Sequence, residues 1–482
     1  MLYASLQCFA GHVQPILVTG FGLPVHDAAS IAAMSNSGPD LRRVLGLRDT
    51  LALSFGAMVG WSWVILSGVW IESGGSLGAI LGFALAGLPI MLIGLLYAEL
   101  ASAMPVVGGE HEYSLRAMGR LGSFVCTWAI VFVYVSVCAF EAVALPTVID
   151  YWFPNYRVGY LWTIAGWEVH LSWAAVGVAG AVVVTFVNYI GVKASAVVQS
   201  TVTGLILAAG VMLLSGALFE GSAGNLDPLF HQGVSGVFAV AVMAPFMFVG
   251  FDVIPQAAQE IQLPARSIGR VLLGSIALAL GWYCLVILAV ALLLPASAFG
   301  TGLVTADAAG QAWGPVGANL LVLGGVGGII TSWNAFLVGG SRAVYAMAAH
   351  GMLPRWLGRL HPRFGTPANA ILAIGALSVA APFGGRVLLI WIVDAGSFAV
   401  VIAYVLVAIS FLLLRRNQPD MARPFRLPHG VAIGWLALAG SLGLLLLYLP
   451  GSPSALQWPV EWGLVLLWCL LGVLFYPMRA RR

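Results

Sequence analysis

The chain has 482 residues, of which 61% are hydrophobic and only 8% are charged. A soluble domain carries about 25% charged residues, and a disordered chain combines high charge with low hydrophobicity, so both classes are excluded. The mean hydropathy of +0.98 predicts a polytopic membrane protein. The net charge of +3 gives no indication of nucleic-acid binding. The five cysteines lack metal-ligand spacing, and no cofactor or metal is expected.

The N-terminal segment differs from the rest of the chain. Residues 1–33 contain no lysine or arginine, so they lack the basic region of a signal peptide. Their apolar stretch is short and is interrupted by Pro15 and Pro24. We therefore expect a disordered leader over residues 1–41, with a translation start at Met34 as an alternative.

Long, uninterrupted apolar runs follow the leader. A helix needs about 20 apolar residues to cross the hydrocarbon core, whereas barrel strands alternate in short segments. The runs therefore predict an all-α membrane protein. Twelve spans are predicted, at about 49–71, 77–101, 121–147, 171–191, 195–218, 234–257, 270–295, 312–345, 367–384, 387–413, 431–449 and 459–477.

The basic residues predict the orientation of these spans. With twelve spans, both termini lie on the same side. All 21 lysine and arginine residues except Arg157 and Arg386 then fall on the side of the termini. Because cytoplasmic loops are enriched in basic residues, we expect a multi-pass protein of the plasma (cytoplasmic) membrane with both termini in the cytoplasm.

Two predicted spans contain strings that break helices. Span one contains Gly56 and Gly60, and span six contains Pro245, Gly250 and Pro255. Proline removes a backbone donor and glycine relaxes the backbone, so both spans are expected to unwind locally. They begin the first and second sets of five spans, which is the pattern of a carrier with inverted repeats. The substrate is then expected at mid-membrane, with helix ends facing its charged groups.

Four strings in chain order give the sequence a family resemblance. They are Ala98–Pro105 followed by Gly108-Gly109, Gly191-Val192-Lys193, Gly250-Phe251-Asp252 with Glu260, and Ser341–Ala348 with Gly351–Pro354. The chain resembles the amino acid–polyamine–organocation superfamily of permeases over about residues 42–415. The resemblance implies a LeuT-type fold with inverted repeats at 42–218 and 219–415, and two further spans with a basic tail at 416–482.

The resemblance also implies where the substrate binds. The expected substrate-binding residues lie at the two breaks: Gly56, Ala57, Met58, Gly60, Trp61, Ser62, Phe246, Phe248, Gly250 and Phe251. Phe246 is favoured among the aromatics, because the family often has a gate aromatic four residues before the glycine that matches Gly250; Trp333 is a further candidate. The chain departs from the family's Gly-Ser-Gly run, since Trp61-Ser62-Trp63 follows Gly60, and these indoles would narrow the pocket or cover the substrate.

The coupling ion stays open at this stage. Proton-coupled members often carry a lysine at the position of Ile206, thirteen residues after Lys193. Thr331-Ser332 matches the Ser/Thr pair that binds sodium in related carriers. Sodium coupling, exchange without an ion and proton coupling through an acid are all consistent with these residues, so H⁺ and Na⁺ are both candidate co-substrates.

Few acids lie inside the spans, where each costs about 2.5–3.5 kcal/mol on insertion scales. Asp252 is interpreted either as a proton-linked or gating carboxylate or as an acceptor for unwound backbone N–H groups. Glu141 is a second candidate gating or proton-linked acid; it either attracts cationic substrate in an outer vestibule or, as the favoured interpretation, is an interface acid near the outer end. Asp394 has no obvious sequence partner and suggests a gate or packing role, and Glu99 is expected to pair with a loop arginine.

These observations together predict a secondary active transporter that moves amino acids by alternating access. The alternative is an amine or polyamine permease, or an amino acid/amine exchanger, of the same fold. An enzyme is disfavoured because the sequence has no catalytic cluster at an interface, and broken helices in both halves disfavour a channel. The expected partners are a small-molecule substrate and the lipid bilayer, with a monomer or a homodimer as the assembly.

Overall fold

Helices dominate the computed structural model, which describes residues 45–191, 193–299, 302–452 and 454–476. All of these residues belong to one unit, Leu41–Arg482. The predicted leader over residues 1–41 lies outside the described residues. The α-helices are α1 (Leu47–Met58), α2 (Ser62–Ile65), α3 (Ser67–Gly74), α4 (Ser76–Ala103), α5 (Glu110–Trp152), α6 (Leu171–Ile190), α7 (Lys193–Glu220), α8 (Val234–Phe248), α9 (Val253–Gln256), α10 (Ala265–Leu293), α11 (Val304–Ala349), α12 (Ala368–Ala380), α13 (Leu388–Asn417), α14 (Gly430–Leu446) and α15 (Val460–Phe475). Short 3-10 turns lie at Ala223–Leu226, Ala258–Glu260, Ala296–Ala298 and Ala381–Gly384.

The helices account for each predicted span by position. Within the described residues, eight helices are long and apolar enough to cross a membrane, and a bent pair at residues 47–74 is a ninth candidate. Shorter apolar helices lie where spans nine, eleven and twelve are predicted: Ala368–Gly384, Gly430–Leu446 and Val460–Phe475. The chain is thus an integral, multi-pass helical membrane protein, whereas a count of twelve crossings stays a prediction.

Two of the longest helices turn sharply at a glycine. In α5 the turn lies at Gly119 (φ 75°, ψ −168°), and in α11 it lies at Gly314 (φ 65°, ψ −168°). Only glycine adopts such positive φ values without a steric cost. Each turn separates a short helical segment, 110–118 or 304–313, from the long apolar helix that follows. The two turns therefore precede spans three and eight in the same way.

The most extensive helix contacts form a regular pattern. They join span three with span ten (α5 with α13), span two with span seven (α4 with α10), span eight with span five (α11 with α7) and span eight with span three (α11 with α5). Small residues allow this close approach, as is usual between membrane helices. A Cβ on Gly94 would lie 2.3 Å from Ile276, and a Cβ on Gly324 would lie 2.4 Å from Ala209.

Two buried ion networks hold one end of the bundle together, which we call the arginine-rich end (Arg342, Arg415 and Arg423). Glu99 of α4 accepts from Arg415 Nε at 2.9 Å and lies 3.0 Å from Arg423 Nε, which confirms the expected pairing with a loop arginine. Arg342 lies 2.6 Å from Glu260, and each of these side chains is 5% exposed. Such pairs fix the helix ends because neither charge can be left alone in a dry environment.

Asp394 has a partner that its sequence position does not reveal. Its carboxyl lies within hydrogen-bonding reach of Glu461, which begins α15. The contact joins spans ten and twelve. This position agrees with a packing role, and a gating role stays untested.

A β-hairpin in the loop between α5 and α6 was not predicted. Strands β1 (Tyr160–Ile164) and β2 (Trp167–His170) pair antiparallel. Ala165 (φ 45°) and Gly166 (φ 80°) form the two-residue turn, and positive φ at both positions is typical of the turn that matches strand twist. Ahead of the hairpin, both oxygens of Asp150 accept from Arg157 at 2.7 Å, and this hydrogen bonding raises the pKa of Arg157.

The Glu260–Arg342 pair yields a stability prediction. Glu260→Gln leaves the Arg342 guanidinium buried without its counter-charge, so we expect the free energy of unfolding to fall by about 3–5 kcal/mol. Replacing both residues by methionine removes the uncompensated charge and should restore most of that loss. Denaturant titration of the solubilised protein measures both effects. Equal losses in the single and double variants would contradict this account of the pair.

Candidate functional site

Span one is unwound where its sequence predicts a break. Helix α1 ends at Met58 and α2 begins at Ser62, so Val59, Gly60 and Trp61 are not helical. Gly328 of span eight makes room for this segment, because a Cβ there would lie 2.3 Å from the Gly60 carbonyl oxygen. The break thus depends on a small residue in a neighbouring helix.

Span six is interrupted in the same way. Helix α8 ends at Phe248 and α9 begins at Val253, with Gly250 at φ 132° between them. Proline at 245 removes a helical donor. Side chains from elsewhere in the chain engage the second half of α8: the Phe246 N–H donates to Ser397 Oγ at 3.2 Å, and the Tyr448 hydroxyl, just after α14, donates to the Val242 carbonyl at 2.6 Å.

The two breaks lie against each other in the centre of the bundle. A Cβ on Gly250 would lie 2.8 Å from both Ala57 Cβ and the Met58 nitrogen. The same two segments are also tied further along, where the Leu45 N–H donates to the Glu260 carbonyl at 3.0 Å. The predicted site residues of spans one and six are therefore brought together, and all ten predicted substrate-binding residues are buried.

Tyr283 of span seven joins this site and was missed by sequence reasoning. Its hydroxyl donates to the Met58 carbonyl at 2.6 Å and lies 3.2 Å from Ser62 Oγ. Its ring lies 6.1 Å from that of Phe248. The available signal was a lone tyrosine inside the uncharged run at 271–306.

Glu141 corrects an interpretation made from the sequence. The interface interpretation is wrong, because the residue is 1% exposed and its carboxylate interacts with the Ser332 side chain and the Trp61 backbone. A Cβ on Gly60 would lie 2.5 Å from Glu141 Oε1. The physical reason is the length of α5, which continues to Trp152. Glu141 is eleven residues, or about 16 Å, short of that end.

Asp252 lies on a different side of the breaks from Glu141. Its side chain is fully buried. One carboxylate oxygen accepts from the Gly250 N–H and the other from the Tyr134 hydroxyl, both at 2.7 Å. The bond to Gly250 is the backbone contact that the structural interpretation of Asp252 expects. A proton-linked role stays a prediction.

A second acid, Glu110, lies close to Asp252 and was missed. Glu110 is fully buried at the start of α5 and accepts from Gln256 Nε2 at 2.5 Å. Phe251 packs on this side as well, with its ring 5.3 Å from Tyr97 and 5.8 Å from Tyr404. The only sequence signal for Glu110 was its place directly after Gly108-Gly109.

The two candidate sodium-binding residues on span eight, Thr331 and Ser332, lie next to span one. The Thr331 hydroxyl donates to the Gly56 carbonyl at 3.0 Å and to the Gly328 carbonyl at 3.1 Å. Ser332 binds Glu141 instead. Both residues thus lie where span eight crosses span one, while their role as sodium ligands stays a prediction.

The structure places the candidate aromatic residues in different surroundings. Phe246 packs against Gly396 and lies 5.9 Å from the Phe140 ring. The Trp61 ring is fully buried and packs on Gly325 of span eight, so it fills a helix contact at the break. Trp333 donates to Ser378 at 3.1 Å, a contact with span nine that involves neither break.

Comparison with known proteins gives a consistent family. A sequence model described as amino acid permease matches residues 45–475. The branched-chain amino acid permease BcaP of Bacillus subtilis is 27% identical, with 94% of this chain and 96% of the relative covered. A methylthioribose transporter of the same species is 25% identical over the same shares of both chains. Cationic amino acid transporter 4 of Homo sapiens is 28% identical, with 78% of this chain and 60% of the relative covered.

The contact between the breaks predicts a sharp dependence on Gly250. In Gly250→Ala the new Cβ meets Ala57 and Met58 at 2.8 Å and the backbone is held at φ 132°. We expect the unfolding free energy of the solubilised protein to fall by at least about 2 kcal/mol.

Gly281→Ala is the matched control for this substitution. Gly281 lies in α10 with nothing within 4 Å of an added Cβ. Alanine is favoured over glycine in a helix by about 0.5–1 kcal/mol, so stability should hold or rise slightly. Equal stability of the Gly250→Ala protein and the wild type would show that the breaks are not in tight contact.

Proposed function

The chain belongs to the amino acid permease family, and on that premise we propose that it is a secondary active transporter of amino acids working by alternating access. The substrate is held between the broken helices of spans one and six. The observation that carries this proposal is the contact of Gly250 with Ala57 and Met58 in the centre of the bundle. The burial of the predicted binding residues supports a closed centre that must open to either side in turn.

A LeuT-type inverted repeat is part of the proposal, with repeats at 42–218 and 219–415 and two added spans at 416–482. In such a repeat, each of spans one to five corresponds to the span five places later. When corresponding spans are exchanged, the contact between spans three and ten becomes the contact between spans eight and five. The contacts between spans two and seven and between spans three and eight stay the same. The glycine turns at Gly119 and Gly314 also occupy equivalent places. This pattern supports a twelve-span topology of five, five and two.

Substrate recognition follows from the backbone of the breaks. Interrupted helices leave carbonyl and N–H groups without their helical partners, and these groups can bind an ammonium and a carboxylate. In this chain neighbouring side chains already occupy some of these groups. The Tyr283 hydroxyl donates to the Met58 carbonyl, and the Glu141 carboxylate lies against the Trp61 N–H. An amino acid would bind the remaining groups next to these anchors.

A second candidate substrate class is favoured by Glu141. Its carboxylate already lies against the Trp61 N–H, a break N–H of the kind that a substrate carboxylate takes in the family. A resident carboxylate at that position suits an amine that carries no carboxylate of its own, because the positive charge then meets a fixed negative one. The alternative of an amine permease or an amino acid/amine exchanger therefore stands beside the first.

The coupling mechanism has three candidates. Thr331 and Ser332 are the candidate sodium ligands, Asp252 is the candidate proton carrier, and exchange needs neither. Asp252 is favoured by its bonds, because its carboxylate joins the span-six break to Tyr134 of span three. Gain or loss of a proton there changes the hydrogen bonding between those two spans.

Orientation and assembly complete the proposal. The arginine-rich end faces the cytoplasm of a plasma-membrane protein, since cytoplasmic segments carry the excess of basic residues. Both termini then lie in the cytoplasm. The protein acts as a monomer or homodimer in the bilayer.

Uptake into proteoliposomes tests the transport function itself. We expect accumulation or counterflow of at least one labelled amino acid or amine, and empty liposomes give the background. Failure with a complete panel of amino acids and amines would contradict transport of this class.

A thermal-shift panel separates the two substrate classes. Amino acids and their decarboxylated amines are compared on the solubilised protein, because a bound ligand raises the unfolding midpoint. Stabilisation by amines alone would contradict the amino acid proposal and support the second class. For an amine substrate, Glu141→Gln should weaken binding about tenfold or more, since a hydrogen bond to a charged group contributes about 1.5–3 kcal/mol. The matched control is Glu168→Gln in the exposed hairpin.

Asp252→Asn tests proton coupling. If Asp252 carries the proton, this variant should lose uptake driven by an imposed pH gradient and keep exchange of internal for external substrate. Tyr134→Phe removes the partner hydroxyl but leaves the carboxyl, so it should shift the pH dependence and keep gradient-driven uptake. Uptake that needs sodium and ignores the pH gradient would contradict proton coupling and favour Thr331 and Ser332.

A further inference from the structure

Three potential metal ligands converge outside the proposed transport site. His111 and Glu112 lie in the first turn of α5, and His350 directly follows α11. One ligand atom from each of these residues lies within 4.8 Å of the other two. We call them the His–Glu–His cluster. It joins the segment before span three to the end of span eight.

Hydrogen bonds around His111 fix which ring nitrogen is free. Its Nδ1 lies 3.0 Å from Ser123 Oγ and 3.2 Å from Thr127 Oγ1. Both hydroxyls already donate their single proton to backbone carbonyls, Ser123 to His111 and Thr127 to Ser123. They can only accept from the ring, so Nδ1 carries the proton and Nε2 keeps a lone pair. This arrangement is the one found around metal-bound histidines, whose second nitrogen donates to a fixed acceptor.

The free nitrogen of His111 faces the other two ligands. Its Nε2 lies 3.1 Å from His350 Nδ1, and His350 Nε2 lies 3.7 Å from Glu112 Oε1. Ligands bound to zinc at 2.0–2.1 Å in a tetrahedron lie about 3.3 Å apart. A metal takes one ring nitrogen of His350, and one ligand atom from each of the three residues lies within 4.8 Å of the other two, so side-chain movements would bring the three to that separation. The His350 and Glu112 side chains are 27% and 18% exposed, which leaves an entry path from water.

We propose that the His–Glu–His cluster binds a divalent transition-metal ion of the zinc class. The ligands are His111 Nε2, one ring nitrogen of His350 and a Glu112 carboxylate oxygen, with water in the fourth position. Two histidines and one carboxylate with an open position form a known zinc donor set. The bound ion ties span eight to the segment ahead of span three, so it stabilises the folded protein. This proposal does not rest on the identity of the transported substrate.

Cobalt titration of the full chain tests the proposal. Purified protein stripped with a chelator is titrated with Co²⁺, whose visible absorption reports nitrogen and oxygen ligation, and Zn²⁺ is then added as competitor. We expect saturable Co²⁺ absorption that Zn²⁺ displaces. His350→Ala, at a partly exposed position, should weaken Co²⁺ binding at least 100-fold. Ser123→Ala, which removes one acceptor behind His111, should weaken it by about 10-fold to 100-fold.

His170→Ala provides the matched control. His170 Nε2 lies 3.7 Å from Glu168, the same separation as in the His350–Glu112 pair. Among the described residues this pair belongs to no group of three potential metal ligands, so its loss should leave Co²⁺ affinity unchanged. As a second readout, Zn²⁺ should raise the thermal midpoint of the wild type and of His170→Ala but not of His350→Ala. Equal Co²⁺ affinity or an equal Zn²⁺ shift in the wild type and His350→Ala would overturn the proposal.

Discussion

The structure depends on one constraint, which is that lipid offers no hydrogen bonds to an unwound backbone. Two helices are broken at the centre of the bundle, and their polar groups must be satisfied by neighbours. Side chains of spans three, seven and eight serve span one: Glu141, Tyr283 and Thr331. Span six is served by Ser397 of span ten and Tyr448. Glycines at 250 and 328 then allow the broken segments to pack closely.

The same constraint determines which polar groups are present at the site. Charge is scarce in the interior, so the recognition that we propose uses backbone groups and the few side chains that hold them. The two acids nearest the breaks are separated by the fold: Glu141 lies with span eight at the span-one break, and Asp252 lies with Tyr134 and close to Glu110. The two roles that we propose for these acids, one toward substrate and one toward the coupling ion, therefore belong to different places.

Sequence patterns predicted the helices and their breaks better than they predicted which side chains contact one another. Each predicted span coincides with an apolar helix, and both breaks lie where glycine and proline weaken the helical hydrogen bonding. Glu141 was placed too near the outer end because nothing local shows that α5 runs on to Trp152. The hairpin at 160–170 was not predicted, because its strands are short and Ala165-Gly166 is not one of the dipeptides that indicate a two-residue turn. Tyr283 had no signal beyond being a lone tyrosine in an uncharged run, and Glu110 had none beyond following Gly108-Gly109.

By itself, the sequence determined the membrane class, the positions of the helices, the two breaks and the family. These properties are local, since hydropathy, proline and glycine act within one helix, and the family strings are contiguous. Only the tertiary structure decided which side chains complete each break, and it brought His111 next to His350 across 239 residues of chain. Such contacts depend on how helices pack and on which buried polar groups must find partners. Neither is encoded in the periodicity of a single span.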